Sequence, residues 1–332
     1  MNKQHIRWGI IGLGRIANSF AQDIPFTTNA SLQAVAARDG DKADAFAQRY
    51  GATHAYDSYN ALFQDPSVDA VYIATPHSLH LEQATEAMRA GKAVLCEKPI
   101  TTSPSELEQL TAIAAQTDSY LMEGMWTYFL PAVQKAKQWV DTGRIGKLLH
   151  VKSDFGYPQL PYSPDKREYN ATLGGGTLLE MGIYPIALAR LFFGEDPINV
   201  DQQSHLAPNG VEDDTTTLFT YPGDRYANLA SSFRCKLQNW TYIIGEDGYI
   251  AIPDTWRANR CLLYELDTLV DEFDDKRESL GFHYEVEAVS QDILEGKKTS
   301  KIVPHSTSMA FQLQIEQLRK MAGSLQPCSA AL

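Results

Sequence analysis

The chain has few cysteines and no long uninterrupted apolar run. Its four cysteines, Cys96, Cys235, Cys261 and Cys328, are far apart and form no C-x-x-C pair. This spacing favours reduced thiols over a disulfide framework or a zinc site. No apolar run approaches the roughly 18–20 residues that span a bilayer, and the N-terminal residues lack the apolar core of a signal peptide. We therefore expect a cytoplasmic protein without membrane contact.

Basic residues are also scarce relative to acidic ones. The 332 residues include 29 Lys and Arg against 41 Asp and Glu, a formal net charge of −12. Such a chain has no general attraction to nucleic acid, although a local basic pocket is compatible with it. Apolar residues make up 44% of the chain, which is too many for a disordered protein. We predict a globular protein of two domains that binds no nucleic acid.

The first 125 residues alternate short apolar strands with helices. The clearest strands lie at 32–37, 70–74 and 93–96, and a helical segment follows each of them. Continuous apolar strands need cover on both faces, so the pattern predicts a doubly wound parallel sheet of the α/β class. We place a dinucleotide-binding domain at residues 1–125, on the motif described below.

The pattern changes from residue 126 onwards. Strand-like runs follow one another from 148 to 266, and many alternate apolar with polar residues, as in TTTLFTY at 215–221. This alternation predicts a large, mostly antiparallel open sheet with one wet face. A helix at 177–193 interrupts the runs. We expect an α+β domain at 126–332, whose C-terminal helices can pack back on the first domain.

A glycine-rich turn follows the first predicted strand. The sequence GLGRIA at 12–17 fits G-x-G-x-x-A, in which Gly12 permits a tight turn and Gly14 lets a pyrophosphate approach the backbone. Ala17 allows close helix packing, and the N–H groups of Arg15 and Ile16 at the helix start would face the phosphates. The βαβ context predicts a Rossmann dinucleotide site. The alternative is a glycine-rich turn without a ligand.

The residues after the second strand bear on the choice of cofactor. NAD sites usually place a carboxylate there, whereas NADP sites place a small residue and an arginine. This chain has Ala37-Arg38-Asp39, and Arg38 could bind a 2′-phosphate bidentately. We therefore predict NADP, with NAD possible because Asp39 could accept from the ribose. The alternative is that Arg38 only pairs with Asp39 or Asp41.

Two further segments carry candidate chemistry. Lys98, in Glu97-Lys98-Pro99, ends a parallel strand, where open α/β sheets bind ligands, and a cis peptide at Pro99 would fix its turn. Glu180 and Tyr184 are four apart, so an α-helix would place both on one face, where they could handle a proton. Alternatively, Lys98 is an ordinary surface lysine, Glu180 is a solvated helix residue, and Tyr184 is a half-buried residue that only contributes packing.

Aromatic and histidine residues give weaker signals. Trp126, Phe155 and Tyr157 could line a pocket and stack on a sugar or an aromatic diol, although an aromatic core is as good an explanation for each. His77 and His80 are three apart, but no third ligand follows at zinc spacing. We therefore predict no metal.

Taken together, G-x-G-x-x-A, Glu97-Lys98-Pro99 and the E-x-G-x-Y pattern at 180–184 resemble the Gfo/Idh/MocA family of dinucleotide oxidoreductases along nearly the whole chain. The segment ATPHSLH at 74–80 is similar to that family's cofactor loop. The resemblance therefore implies cofactor contacts from Thr75, Pro76, His77 and His80, and from Glu97 and Lys98.

Four other segments, at 36–39, 122–127, 143–146 and 213–215, are similar to the dimeric dihydrodiol and D-xylose dehydrogenase branch of the family. This similarity favours NADP and implies a homodimer joined through the C-terminal sheet.

The resemblance also implies a catalytic pair. Tyr184 would exchange a proton with the substrate oxygen, and Lys98 would orient that oxygen and lower the pKa of the tyrosine. Glu180 replaces the family's usual aspartate, so its catalytic role is open. The implied reaction is hydride transfer between NADP and a CH–OH carbon of an aldose, polyol or cyclic trans-dihydrodiol. The alternatives are a redox regulator without turnover and an enzyme for non-carbohydrate ketones.

Overall fold

The computed structural model describes residues 4–324. Contacts within the chain divide it into two compact units. The first contains the residues up to Phe129 and Arg277–Met309, and the second contains Leu130–Lys276 and the residues from Ala310 onwards. The domains at 1–125 and 126–332 stay a prediction, because internal contacts do not test which segments fold independently.

A six-stranded parallel sheet forms the centre of the first unit. Its strands are β1 (Ile6–Ile11), β2 (Ala30–Ala36), β3 (His54–Tyr56), β4 (Ala70–Ile73), β5 (Ala93–Glu97) and β6 (Leu121–Gly124). The order is β3-β2-β1-β4-β5-β6, and every neighbouring pair is parallel. The strand order reverses beside β1, which is the arrangement of a Rossmann sheet. The predicted doubly wound sheet is confirmed.

Helices cover this sheet. Those that follow its strands are α1 (Arg15–Asp23), α2 (Gly40–Tyr50), α3 (Tyr59–Gln64), α4 (His80–Arg89) and α5 (Pro104–Gln116). The apolar strands are buried throughout, as the run Ala70–Ile73 shows. Under α1, the ring of Phe20 stacks on Tyr72 with centroids 3.7 Å apart. Continuous apolar strands and amphipathic helices therefore produce the two-sided cover that the sequence predicts.

An eight-stranded sheet forms the centre of the second unit. Its strands are β7 (Leu148–Gly156), β8 (Asn199–Leu206), β9 (Glu212–Tyr221), β10 (Arg225–Ser232), β11 (Thr241–Gly245), β12 (Tyr249–Ile252), β13 (Arg260–Glu265) and β14 (Thr268–Asp274). The order is β14-β13-β12-β11-β7-β10-β9-β8, and β7 and β10 form the parallel pair. The predicted mostly antiparallel open sheet is confirmed. Helices α6 (Pro131–Asp141) and α7 (Ile183–Phe193) pack against it.

The last two helices are α8 (Phe282–Leu294) and α9 (His305–Ala322). Helix α8 belongs to the first unit, where its N-terminus is held by Asp23 at the end of α1. The buried carboxylate of Asp23 accepts hydrogen bonds from the backbone N–H groups of Leu280, Gly281 and Phe282. It thereby satisfies donors that a helix start leaves without intrahelical partners, and it lowers the free energy of α8 at this position.

The helix predicted at 177–193 differs from the prediction in its first turn. Leu178–Gly182 forms a π-helical turn, and α7 begins only after it. The expectation that Glu180 and Tyr184 share a helix face stays a prediction, now for a π turn followed by α7 in place of a continuous α-helix. A Cβ on Gly182 would lie 3.0 Å from Ser231 Oγ of β10, so this glycine permits close helix–strand contact.

The segment Ala171–Phe193 is long and apolar enough, by length and composition, to cross a membrane. An 18-residue window of this segment has a mean hydropathy of 1.3, and 83% of that window is buried inside the protein. Burial of this kind is typical of a core helix, so the segment is weak evidence for a membrane span. The segment nevertheless comes closer to the length and hydropathy of a membrane-spanning helix than the uninterrupted apolar runs of the sequence suggest.

Candidate active site

The glycine-rich turn joins β1 to α1 and has the geometry that its sequence predicts. Gly12 has a φ of +80°, and a Cβ there would lie 2.7 Å from the backbone of Ala74 and Thr75 at the end of β4. A side chain is therefore excluded by both conformation and space. A Cβ on Gly14 would meet its nearest heavy atom, the Gly12 carbonyl oxygen, only at 3.9 Å. The surface above Gly14 is open, as the approach of a pyrophosphate requires.

The start of α1 offers backbone donors at the same place. Gly14 occupies the N-cap position, and no side chain caps the helix there. The N–H groups of Arg15, Ile16 and Ala17 therefore begin the helix without a side-chain acceptor from the cap. Backbone N–H groups at a helix start, next to an open glycine, fit a dinucleotide pyrophosphate.

Arg38 and Asp39 follow β2 and have different surroundings. The Asp39 side chain accepts the Lys42 N–H at 3.3 Å and caps α2. Arg38 is exposed and has no ion-pair partner among residues 4–324, so it does not pair with Asp39 or Asp41 as the alternative supposed. The exposed guanidinium beside the glycine-rich turn fits a 2′-phosphate.

The loop after β4 is tied to the Lys98 turn through His80. One ring nitrogen of His80 lies 2.9 Å from the Thr75 carbonyl and the other 2.9 Å from the Pro99 carbonyl. His80 is fully buried and His77 is 5% exposed. Thr75 also donates to Gln83. The histidine that the resemblance assigns to the cofactor therefore also joins two loops at the carboxyl edge of the sheet.

The two histidines lie next to each other after β4. Their ring centroids are 5.7 Å apart. Within residues 4–324, no group of three or more His, Cys, Asp and Glu side chains could hold a metal ion.

Lys98 lies at the carboxyl end of β5. The Lys98-Pro99 peptide bond is cis, which confirms the predicted conformation. Lys98 is 8% exposed and Glu97 is 7% exposed. Glu97 accepts hydrogen bonds from the Tyr72 hydroxyl and from the Lys98 backbone N–H. The strand end and its buried glutamate therefore hold Lys98 at the edge where a parallel sheet binds ligands.

In the second unit, Tyr184 is the second residue of α7 and is 7% exposed. The ring of Phe155, near the end of β7, lies edge-on to Tyr184 with centroids 5.3 Å apart. Tyr157 lies edge-on to Phe155 at 5.9 Å. The structure thus brings together Tyr184 and two of the three residues that the sequence assigns to the substrate pocket.

Trp256 is an additional aromatic member of this group that the sequence reasoning missed. Its ring stacks on Phe155 at 5.4 Å and 17°. It lies in a short 3-10 helix between strands, and no motif marks it. The third pocket candidate, Trp126, lies in the first unit and stacks on Phe282 at 4.1 Å and 5°.

Glu180 forms an ion pair with Arg167, whose side-chain nitrogen lies 2.5 Å from the carboxylate. Sequence reasoning missed Arg167 because it stands in the irregular segment between β7 and the π turn. The pairing gives Glu180 a role in holding that segment against the π turn, and its catalytic role stays a prediction.

Two family models match the chain. The model described as an oxidoreductase family with an NAD-binding Rossmann fold matches residues 6–125. The model described as the Gfo/Idh/MocA C-terminal domain matches residues 133–251.

Similar proteins are known over nearly the full length. The trans-1,2-dihydrobenzene-1,2-diol dehydrogenase of Mus musculus is 32% identical over 327 residues, covering 96% of this chain and 97% of the relative. The solved aldose-aldose oxidoreductase of Caulobacter crescentus, complexed with glycerol, has a TM-score of 0.88 at 25% identity, covering 96% and 98% of the two chains.

A third similar protein is a 3-ketoreductase of Actinomadura kijaniata, solved with NADP and TDP-benzene. Its TM-score is 0.83 at 27% identity, covering 95% of this chain and 97% of that one. These matches are enzymes, which favours turnover over a purely regulatory role. The dinucleotide site, the fold and these similarities lead to one conclusion: the chain belongs to the Gfo/Idh/MocA family of NAD(P)-dependent oxidoreductases.

Proposed function

We propose that this enzyme uses NADP to oxidise or reduce a CH–OH or carbonyl carbon of an aldose, a polyol or a cyclic trans-dihydrodiol. The observation that carries the proposal is Lys98, held on a cis-proline turn at the carboxyl end of β5, on the same sheet edge as the glycine-rich turn. A fixed cation beside a dinucleotide site is suited to hold a substrate oxygen.

Several residues of this chain would hold the cofactor. The open backbone at Gly14 and the helix start at Arg15–Ala17 fit the pyrophosphate, and exposed Arg38 fits the 2′-phosphate. Thr75, Pro76 and His77 follow β4, and Glu97 ends β5, at the same edge of the sheet. When bound, the nicotinamide supplies the hydride acceptor or donor. The preference for NADP over NAD is part of the proposal and rests on Arg38.

Tyr184 and Lys98 act on the same substrate oxygen in this proposal. As the phenolate, Tyr184 takes up the hydroxyl proton during oxidation, and as the phenol it returns that proton during reduction, while Lys98 orients the oxygen and stabilises its negative charge. The proposal requires the two side chains to meet at that oxygen. Glu180, paired with Arg167, supports the π turn that precedes Tyr184.

The aromatic group supports the proposed substrate class. Phe155, Tyr157 and Trp256 surround Tyr184 or pack on its neighbours, and such rings stack on the apolar face of a sugar or on a cyclic diol. The relatives and neighbours are named for a dihydrodiol, aldoses and a ketone. These names support a small carbonyl or hydroxyl substrate.

The experiment measures NADP⁺ reduction at 340 nm with D-xylose, D-glucose and trans-1,2-dihydrobenzene-1,2-diol. We expect activity with at least one of them. We expect Lys98→Ala and Tyr184→Phe each to lower kcat by about 10²–10⁴-fold, the usual contribution of a positioned acid–base group. Lys137→Ala and Tyr221→Phe are matched controls and should remain within about twofold, a range in which surface or conservative changes usually fall.

Either of two results would contradict this proposal. If the Lys98 and Tyr184 variants both keep parental kcat, the catalytic pair is wrong. If the parent protein binds NADP⁺ but turns over none of a broad panel of sugars, polyols, diols and ketones, the substrate class is wrong.

We further propose that the enzyme is a cytoplasmic homodimer joined through the open face of the eight-stranded sheet. That face carries half-buried aromatic side chains on successive strands, with Tyr249 stacked on Tyr264 at 4.7 Å and His150 stacked on Tyr226 at 5.6 Å. Tyr242 continues the row between them. A second copy of the same chain would cover this row.

A further inference from the structure

Three buried glutamates lie close to the Lys98 turn in the first unit. Glu97 ends β5, Glu123 lies on the neighbouring strand β6, and Glu285 lies in the first turn of α8. Their exposed fractions are 7%, 1% and 1%. Glutamate is seldom fully buried unless it is paired, so a cluster of three calls for an explanation.

Glu123 contacts the turn directly. Its Oε1 accepts the Ile100 backbone N–H at 3.0 Å, and Ile100 is the second residue after Lys98. The bond ties the Lys98-Pro99-Ile100 turn to β6, from the side opposite to the bonds that Glu97 makes with Tyr72 and with the Lys98 N–H. A shift of this turn would therefore shift Lys98.

The other carboxyl oxygens of the cluster have little support for a negative charge. Glu123 Oε2 and both oxygens of Glu285 have no hydrogen-bond partner among residues 4–324. A buried carboxylate without partners is costly, whereas a protonated carboxyl loses much less on burial. The geometry thus favours protons on Glu123 and Glu285.

Electrostatics point the same way. Burial raises the pKa of Glu123 to about 7, against the opposing effects of Ser308, the Ile100 N–H and Lys98, and Glu97 raises it further. Burial, together with Glu97 and Glu123, raises the pKa of Glu285 well above its usual range. The Cys96 thiol, which precedes Glu97 in β5, also has a raised pKa, mainly through burial.

We propose that Glu123 is a positioning residue for Lys98, whose carboxyl oxygen holds the Lys98 turn while the carboxyl keeps its proton within the three-glutamate cluster. This inference rests on the proposed catalytic role of Lys98. A proton on Glu123 leaves the Ile100 bond intact and avoids a second negative charge beside Glu97.

The activity test compares three substitutions at this position. Glu123→Gln keeps a neutral group with the same carbonyl oxygen, so we expect kcat within about threefold of the parent. Glu123→Ala removes the acceptor and Glu123→Asp shortens it, so we expect kcat to fall about tenfold or more, with a smaller change in the KM for NADP⁺, as misplacement of a catalytic group costs up to ~10²-fold. Glu285→Gln, which removes a buried carboxyl without a bond to the turn, is the matched control.

A second test reads the proton without activity, through thermal unfolding between pH 5 and pH 8.5. A folded-state pKa near 7 lies above that of an unfolded glutamate, so the folded parent binds more protons and loses stability as the pH rises between these two values. The Glu123→Gln variant has no titrating group at this position, so it does not lose this stability as the pH rises. We expect the Tm of Glu123→Gln minus that of the parent to rise with pH up to about 7 and then to level off.

The outcomes separate this inference from the proposed function. A Tm deficit of Glu123→Gln that is the same at every pH shows an ionised acceptor and overturns the proton assignment. If Lys98→Ala is inactive but Glu123→Ala and Glu123→Asp keep parental kcat, the positioning role is wrong. If Lys98→Ala is fully active, the proposed function fails, and the Tm series still decides whether Glu123 holds a proton.

Discussion

Arg38 and Asp39 are adjacent, yet the structure gives them different roles. Asp39 caps α2 through the Lys42 N–H, which leaves the exposed guanidinium of Arg38 as the group available to a 2′-phosphate. We predict that Arg38→Ala raises the Kd for NADP⁺ about 10–100-fold, because a lost charge-assisted bond is worth roughly 1.5–3 kcal/mol, and leaves the Kd for NAD⁺ within about twofold. Quenching of tryptophan fluorescence during titration measures both constants.

A control distinguishes a local effect from a change in net charge. Arg260→Ala removes an exposed arginine of β13 in the second unit. It should alter neither Kd. If Arg38→Ala weakens NADP⁺ and NAD⁺ binding equally, Arg38 supports the fold of the site and does not bind the 2′-phosphate.

Single residues were predictable from sequence where a backbone motif fixes them. Gly12, Gly14 and Lys98 stand next to predicted strand ends, so their position followed from the parallel sheet. Trp256 and Glu123 were not assigned to the site, because their roles depend on contacts with residues far away in the sequence. Trp256 stacks on Phe155 of β7, and Glu123 accepts a hydrogen bond from the Ile100 N–H, and no local motif predicts either contact.

At the scale of the element, the β1–α1 turn separates two roles of glycine. Gly12 needs a positive φ and space that the backbone of Ala74 fills, whereas Gly14 has open space around it. We predict that Gly12→Ala lowers the free energy of unfolding by about 2 kcal/mol or more, through strain and overlap. Gly14→Ala should change it by less than about 1 kcal/mol, because an alanine N-cap costs little relative to glycine.

The same pair is expected to differ in cofactor binding. A Cβ at Gly14 projects into the surface that fits the pyrophosphate, so Gly14→Ala should weaken NADP⁺ binding although the protein remains folded. Urea denaturation and calorimetric titration give the two quantities. Parental NADP⁺ affinity in Gly14→Ala would mean that the pyrophosphate does not lie over this turn.

Elements were predictable where periodicity was strong. The apolar runs of β4 and β5 and the alternation in β9 identify buried and half-buried strands, since burial on one or two faces selects these patterns. The exposed edge strand β14 was missed because an edge strand with both faces wet carries no such pattern. The π turn at Leu178–Gly182 was predicted as α-helix, because its apolar composition suits either kind of helix.

At the scale of the whole molecule, each unit contributes a different part of the proposed chemistry. The first unit holds the glycine-rich turn, Arg38 and Lys98, and the second holds Tyr184 with its aromatic neighbours. Neither unit contains both members of the proposed catalytic pair. The proposed chemistry therefore draws on residues of both units, whereas the proposed dinucleotide contacts come from the first.

The open sheet face gives a prediction about assembly. Tyr242 and Tyr249 lie on neighbouring strands in the half-buried aromatic row, and a dimer interface buries at least about 1,000 Å² of such surface. We predict that light scattering after size-exclusion chromatography gives twice the chain mass of 37.0 kDa. Tyr242→Glu with Tyr249→Glu should give monomers, since two buried unpaired charges per subunit cost more than the contact gains.

Ile198→Glu, at a side chain that is 68% exposed, is the control and should remain dimeric. A monomeric parent, or a double variant that stays dimeric, would place the interface elsewhere or remove it.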